Sequence, residues 1–305
     1  MSGHVHHHHH HVDPAAGDAR VGLALGANLA LTLAQIVAGG ISGSLALRAD
    51  AVPNLSDAIS LGIALAARRI GRRPADAAMT FGYGRAEVVA ALVNYTTLIV
   101  IAVWLLAEGV TRLVAPEPVA GWIVVIVAGL ALAVDVATVA LTWAMATSSV
   151  NIRAAFLHNL SDALASVGVI VAGSLILAFG WHWIDAGVTL AIAAYILWQS
   201  ALGLVPVVRI LMLASPEGLD TGEVLGAMRG GAGVGDVHHL HLWRMQEHEA
   251  ALEAHVVLDG TRPLQEVRLA LRAMLEDRFG VAHSTLELET PETACPDATA
   301  IRHPA

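Results

Sequence analysis

The sequence predicts an α-helical membrane protein of six transmembrane helices, followed by a small α+β domain of order α-β-β-α-β. Three observations carry this expectation. The 305-residue chain is 56% hydrophobic and 14% charged, with a mean hydropathy of +0.63, which lies outside the usual range of a soluble domain. Six apolar windows are each long enough to cross about 30 Å of hydrocarbon at about 1.5 Å per residue. Beyond residue 208 these windows give way to short alternating and helical runs.

The elements follow in order. Residues 1–18 form a His-rich tail with His4 and the run His6–His11. The run reads as native, a purification tag being the alternative, and on the cytoplasmic side it would collect metal. The membrane domain spans 19–208, with apolar windows at 20–41, 45–67, 86–110, 120–146, 154–180 and 183–205. The first has no small-residue cleavage site and reads as a retained helix rather than a signal peptide. Arg68, Arg69, Arg72, Arg73 and Arg85 fall between windows two and three, and Arg153 between four and five. The connections 42–44 and 181–182 carry no basic residue, and 111–119 carries only Arg112. This asymmetry predicts that both termini are cytoplasmic.

The α+β domain spans 209–290. Pro216–Gly230 reads as a short helix after a proline start, and Asp236–Gln246 and Ala250–Leu258 as strands joined by a tight polar turn. Leu264, Val267, Leu271 and Leu275 give helical spacing over Pro263–Phe279, stopped by Gly280, and Ser284–Glu289 is a last alternating strand. Residues 291–305 read as a disordered tail. The single cysteine, Cys295, rules out an intramolecular disulfide framework and reads as part of that tail, as does His303.

The pentapeptide Asn-Leu-Ser-Asp-Ala occurs twice, at Asn54–Ala58 and Asn159–Ala163, inside apolar windows two and five. Each copy places a carboxylate, Asp57 or Asp162, at lipid depth, at an insertion cost of roughly 2.5–3.5 kcal/mol. His158 and Asp162 are spaced i, i+4 and so are neighbours on one helix face. An imidazole and a carboxylate suit a borderline ion such as Zn2+, and Asp57 supplies a third ligand if helices two and five face each other. This favours a metal site over interhelical hydrogen-bonding.

Taken together, Ser44–Asp50, Asn54–Asp57, Phe81–Glu87, Phe156–Asp162 and Val237–Trp243 resemble the cation diffusion facilitators, most closely the bacterial zinc, cobalt and cadmium efflux group. The resemblance runs in order from about residue 20 to 290. It implies a homodimeric, proton-coupled exporter of divalent metal in the bacterial inner membrane, with a metallochaperone-like cytoplasmic domain. The family's transport site draws on HxxxD or DxxxD pairs of helices two and five, which map here onto Asp57, His158 and Asp162. In the C-terminal domain it implies regulatory zinc at His238, His255, Glu287 and Glu289.

One position departs from that pattern. Pro53 stands where the first ligand of helix two is expected, and proline offers no metal-binding group while removing a helical hydrogen bond. Asn54, Asp50, Asp135 of helix four or a water could complete the shell. Arg48, near the outer end of helix two, could snorkel to the interface, neutralise Asp50, pair with Asp135 or repel a cation. Oxygen-richer coordination would favour harder ions such as Mn2+. Since ligands must lose their protons to bind metal, ion and proton binding are mutually exclusive, and His158 titrates in the right range.

The leading reading is secondary active efflux of a divalent cation, Zn2+ first and Co2+ or Cd2+ next, in exchange for protons. The alternative is a transport-impaired metal-sensing or partner subunit, because of Pro53. The chain does not read as an enzyme, since no acid/base pair or substrate motif accompanies the metal ligands. No P-loop pattern supports ATP-driven pumping. No organic cofactor and no nucleic-acid partner is expected; the partners are metal ions, protons, lipid and a second copy of the chain.

Overall fold

The computed structural model describes residues 29–143, 150–246, 249–295 and 299–301, with residues 57–58, 60–61, 64–65, 68, 138–143 and 150–159, among them Asp57, Arg68, Arg153 and His158, described in backbone alone. The His-rich tail, the opening residues of the first apolar window and His303 lie outside the described residues. The chain divides into two compact units, Met1–Gly62 with Thr96–Ala201 and Ile63–Tyr95 with Leu202–Ala305.

Among the described residues, six helices precede the C-terminal domain: α1 (Leu29–Ser42), α2 (Leu45–Gly71), α3 (Ala86–Val114), α4 (Gly121–Trp143), α5 (Val150–Phe179) and α6 (Trp183–Leu211). Among the described residues, three are long and apolar enough to cross a membrane: α3, the Leu160–Phe179 part of α5, and α6. Leu29–Ser42 and Gly121–Ala137 are shorter apolar helical stretches. Large apolar side chains such as Val100, Trp104, Ile126, Leu164 and Trp198 are exposed on these helices, as a lipid-facing surface requires. Phe179, Trp181 and Trp183 stack in series at the α5–α6 turn, with centroids 4.8 and 6.5 Å apart, where an aromatic belt belongs.

Polar groups fix the helix starts. Asp185 at the start of α6 caps α2: its carboxylate accepts from Leu45 N at 2.7 Å, Ala46 N at 3.3 Å and Ser44 Oγ at 2.5 Å. The orphan amides of a helix start are thereby satisfied, and Ser44 Oγ in turn accepts from Leu47 N at 3.0 Å. α4 and α5 pack along each other, and a Cβ on Gly121 would meet the Gly173 carbonyl at 2.7 Å. Small residues are needed at such a close approach.

Two boundaries differ from expectation. α6 runs past Pro206 to Leu211 rather than stopping near 205, because Val207 and Ile210 go on burying apolar surface. α2 likewise continues through Pro53 to Gly71.

The C-terminal domain comprises α7 (Thr221–Arg229), β1 (Val234–Gln246), β2 (Glu249–Leu258), α8 (Leu264–Phe279) and β3 (His283–Glu289), in the predicted order. The helix expected from Pro216 begins instead at Thr221, since Asp220 is the cap and accepts from Gly222 N at 2.8 Å. α8 ends at Gly280 with φ 67°, a left-handed position that glycine takes at no steric cost. The sheet order is β1-β2-β3, with β1–β2 antiparallel and β2–β3 parallel across the α8 crossover. Val224, Met228, Leu240, Leu252, Val267 and Leu275 form its buried core.

The tail expected to be disordered is in part paired. His239 N donates to Thr299 O at 3.1 Å and Leu240 N to Ala300 O at 3.0 Å, and Ala300 packs on the domain core. A bulge in β1 leaves these two amides free of β2, so the returning chain can take them.

Candidate metal centres

The first polar constellation sits among the apolar helices. Asp50 of α2 is 4% exposed and accepts from Gln35 Nε2 of α1 at 2.8 Å. Ser166 Oγ of α5 lies 3.1 and 3.3 Å from the two Asp50 oxygens and 3.3 Å from Asp135 Oδ2 of α4. Four helices thus converge on two carboxylates. Asp162 precedes Ser166 by one turn and acts electrostatically on Asp50, as does Asp135. Asn54, one turn beyond Asp50, is also buried.

Of the sequence candidates, Asp50, Asp135 and Asp162 are therefore brought into one neighbourhood. The side chains of Asp57 and His158 lie outside the described residues. Asp50 accepts its hydrogen bonds from Gln35 and Ser166 rather than from Arg48, the neutralising partner considered above. The Arg48 stem instead rests against Gly39, where a Cβ would stand 2.7 Å from Arg48 Cγ. Gln35 and Ser166 were not singled out by sequence, because isolated amides and hydroxyls in apolar helices are ordinarily glue.

The second constellation is built by strand register. His238 of β1 pairs with His255 of β2, and His255 with Glu287 of β3, so the three stand in a row across the sheet. Glu289 lies two residues on, returning to the same face. His239 sits in the bulge with φ 49°, an uncommon conformation for a non-glycine residue. Its ring meets those of His238 and His255 at centroid distances of 5.1 and 4.9 Å. Cys295 arrives from the segment after β3.

The geometry is that of a donor cluster. His255 Nδ1 is 2.7 Å from Glu289 Oε1, and His255 Nε2 is 3.3 Å from Glu287 Oε2. His238 Nε2 and Glu289 Oε2 face each other at 3.3 Å, both buried without a hydrogen bond of acceptable geometry. Donor atoms of His238, His239, His255 and Cys295 all lie within 4.8 Å of one another, as do those of His255, Glu287 and Glu289. Tetrahedral Zn2+ with bonds of about 2.0–2.3 Å places its donors roughly 3.3–3.8 Å apart. The buried, unsatisfied His238–Glu289 pair already meets that spacing, so the residues fit a metal ion. Partial burial and the Glu289 and Glu287 carboxylates push the Cys295 thiol above its ordinary pKa, so without an ion the thiol form is favoured.

All four C-terminal residues expected from sequence, His238, His255, Glu287 and Glu289, are thus brought together. His239 and Cys295 join them. A bulge that turns two consecutive side chains to one face breaks the alternation from which strand faces are read, and Cys295 had been assigned to an unstructured tail.

The chain matches the cation efflux transmembrane domain over residues 21–212 and the cytoplasmic domain of cation efflux proteins over residues 216–291. It is 34% identical over 304 residues to the metal cation efflux system protein CzcD of Cupriavidus metallidurans, covering 99% of this chain and 94% of the relative. It is 34% identical to the cadmium, cobalt and zinc/H(+)-K(+) antiporter of Bacillus subtilis, over 84% of each chain. It is 32% identical to the zinc transporter ZitB of Escherichia coli, over 90% and 88%. A solved structure, the metal-bound C-terminal domain of the CzcD transporter, aligns at 36% identity over 23% of this chain and 99% of that one, with a TM-score of 0.22. The chain therefore belongs to the cation diffusion facilitator family of bacterial metal cation efflux transporters.

Proposed function

We propose that this protein exports a divalent metal cation, Zn2+ foremost with Co2+ and Cd2+ as further cargo, from the cytoplasm in exchange for protons. The observation that carries the proposal is the likeness over nearly the whole chain to metal efflux proteins, among them a cadmium, cobalt and zinc/H(+)-K(+) antiporter. Asp57, His158 and Asp162 form the transport site, with Pro53 leaving its fourth position to oxygen or water. Metal binding at these groups displaces protons, and protonation displaces the metal, so the same ligands couple the two fluxes.

The arginines of the 2–3 and 4–5 connections support a protein that crosses the inner membrane six times with both termini cytoplasmic. The cytoplasmic domain pairs two copies of the chain, and His238, His255, Glu287 and Glu289 bind a regulatory ion. Expression in a bacterial host stripped of its own exporters tests the reading. Tolerance to Zn2+, Co2+ or Cd2+ should rise and cell metal content should fall. Correct membrane insertion with no change for any ion would instead support the sensing or partner role.

A further inference from the structure

We propose that a cavity beside the first turns of α3 binds an anionic phospholipid, with an acyl chain inside and the phosphate at an arginine rim. The cavity measures about 770 Å³, and its wall includes Ile63 and Ile70 of α2, Phe81 of the α2–α3 connection, Val89 of α3, and Trp243 and Met245 of β1. That volume is in the range that holds an organic ligand. These residues all belong to one of the two compact units. Phe81 is 69% exposed and Val89 49%, so the described residues leave the apolar wall open. An open apolar wall of this kind marks an interaction site.

The occupant follows from place and charge. α3 is long and apolar enough to cross the membrane and lies in the matched transmembrane domain, so bilayer lipid reaches its ends. Between residues 69 and 87 four arginines, Arg69, Arg72, Arg73 and Arg85, stand against two carboxylates, Asp76 and Glu87. Arg85 is itself part of the wall, and its Nε donates to Met245 O at 2.9 Å, which holds the guanidinium there. Arg73 is exposed and acts electrostatically on Tyr83, a further wall residue. Basic pockets beside membrane helices take the headgroups of anionic lipids, and the guanidinium fork matches phosphate oxygens. A second copy of the chain docking by this same face would set these arginines against their own images, like charge against like. Lipid binding requires α3 in the membrane, and neither the direction nor the cargo of transport.

Trp243 reports on the cavity directly. The full chain is placed in phosphatidylcholine nanodiscs in which either added phosphatidylglycerol or part of the phosphatidylcholine carries brominated acyl chains. The Trp243 signal is the fluorescence missing from Trp243→Phe. Brominated phosphatidylglycerol should quench that signal at a mole fraction about fivefold lower than brominated phosphatidylcholine, the share of one arginine near an anionic headgroup. Arg73→Gln, a change at an exposed side chain, should remove most of that difference. Ala66→Phe, which fills the cavity from its wall, should abolish quenching by either lipid. If Trp243→Phe does not fold, native mass spectrometry of the wild-type chain reads the same preference as retained phosphatidylglycerol over phosphatidylcholine. Absence of Trp243 quenching or of retained lipid, the outcome if a second copy covers the cavity, would overturn the site, as would an equal response to both headgroups.

Discussion

The two buried polar constellations differ in how they are assembled and in the donor atoms they present. Within the helical domain, Gln35, Asp50, Asp135 and Ser166 come from four helices and present oxygen only. In the cytoplasmic domain, His238, His239, His255, Glu287, Glu289 and Cys295 come from three adjacent strands and one following segment, and present nitrogen, oxygen and sulfur. Softer, more varied donors hold borderline ions firmly, whereas a buried carboxylate pair competes for protons and hard ions. On the efflux reading proposed above, the sheet would retain an ion and the helices would pass it.

The largest expected effect separates these roles outright. Asp162→Ala should reduce zinc flux to background while leaving zinc binding by the cytoplasmic domain intact, as read by metal titration of the full chain. Loss of both would mean that the regions do not act separately. The reverse variant, His238→Ala/His255→Ala, should retain measurable flux but lose metal-induced stabilisation. An ion present at a hundredfold excess over its Kd contributes about 2.7 kcal/mol, visible as a rise in the domain's unfolding temperature that the variant lacks.

A smaller change sharpens the donor argument. Cys295→Ser keeps the site but replaces sulfur with oxygen, and should lower the Cd2+ over Zn2+ preference of the cytoplasmic cluster roughly tenfold, within the range seen for altered metal surroundings. Competition titration measures it, and an unchanged preference would remove Cys295 from the coordination shell.

The smallest effect lies outside both clusters. Asp76 accepts from Ala78 N, Met79 N and Tyr83 Oη at 2.7–2.8 Å, bonds that hold its carboxyl below the ordinary value of 3.8. A depressed folded-state pKa adds order that is complete above the unfolded value and fades as pH falls through the lowered one. Hydrogen exchange over residues 76–83 should accelerate only in acid below that value, and Asp76→Ala should exchange fast at every pH. Metal binding by either cluster should be unaffected by the substitution at neutral pH.

The C-terminal cluster was legible through the family resemblance, which named His238, His255, Glu287 and Glu289, and the strand register then stands His238, His255 and Glu287 in one row. Strand alternation does not give His239, where the bulge breaks it, nor Cys295, which lies beyond the last strand and reaches the cluster through Glu289. The order of the soluble elements was legible from Gly280 and the spacing of Leu264 to Leu275, but Pro216 drew attention from the actual cap, Asp220. In the helical region, hydropathy located the apolar segments and the intramembrane charges Asp50, Asp135 and Asp162. It carried no information on which helices meet, so the roles of Gln35, Ser166 and Asp185 were visible only once their partners were in place.

The central claim is that metal leaves against protons through Asp57, His158 and Asp162. Proteoliposomes holding the full-length chain and a pH-sensitive dye test it most directly, with Zn2+ added under an imposed proton gradient. Wild type should show zinc-dependent proton movement in the opposite direction to zinc, and His158→Ala and Asp162→Ala should show none. Equal proton movement in wild type and both variants, or zinc flux with no proton movement, would contradict the account.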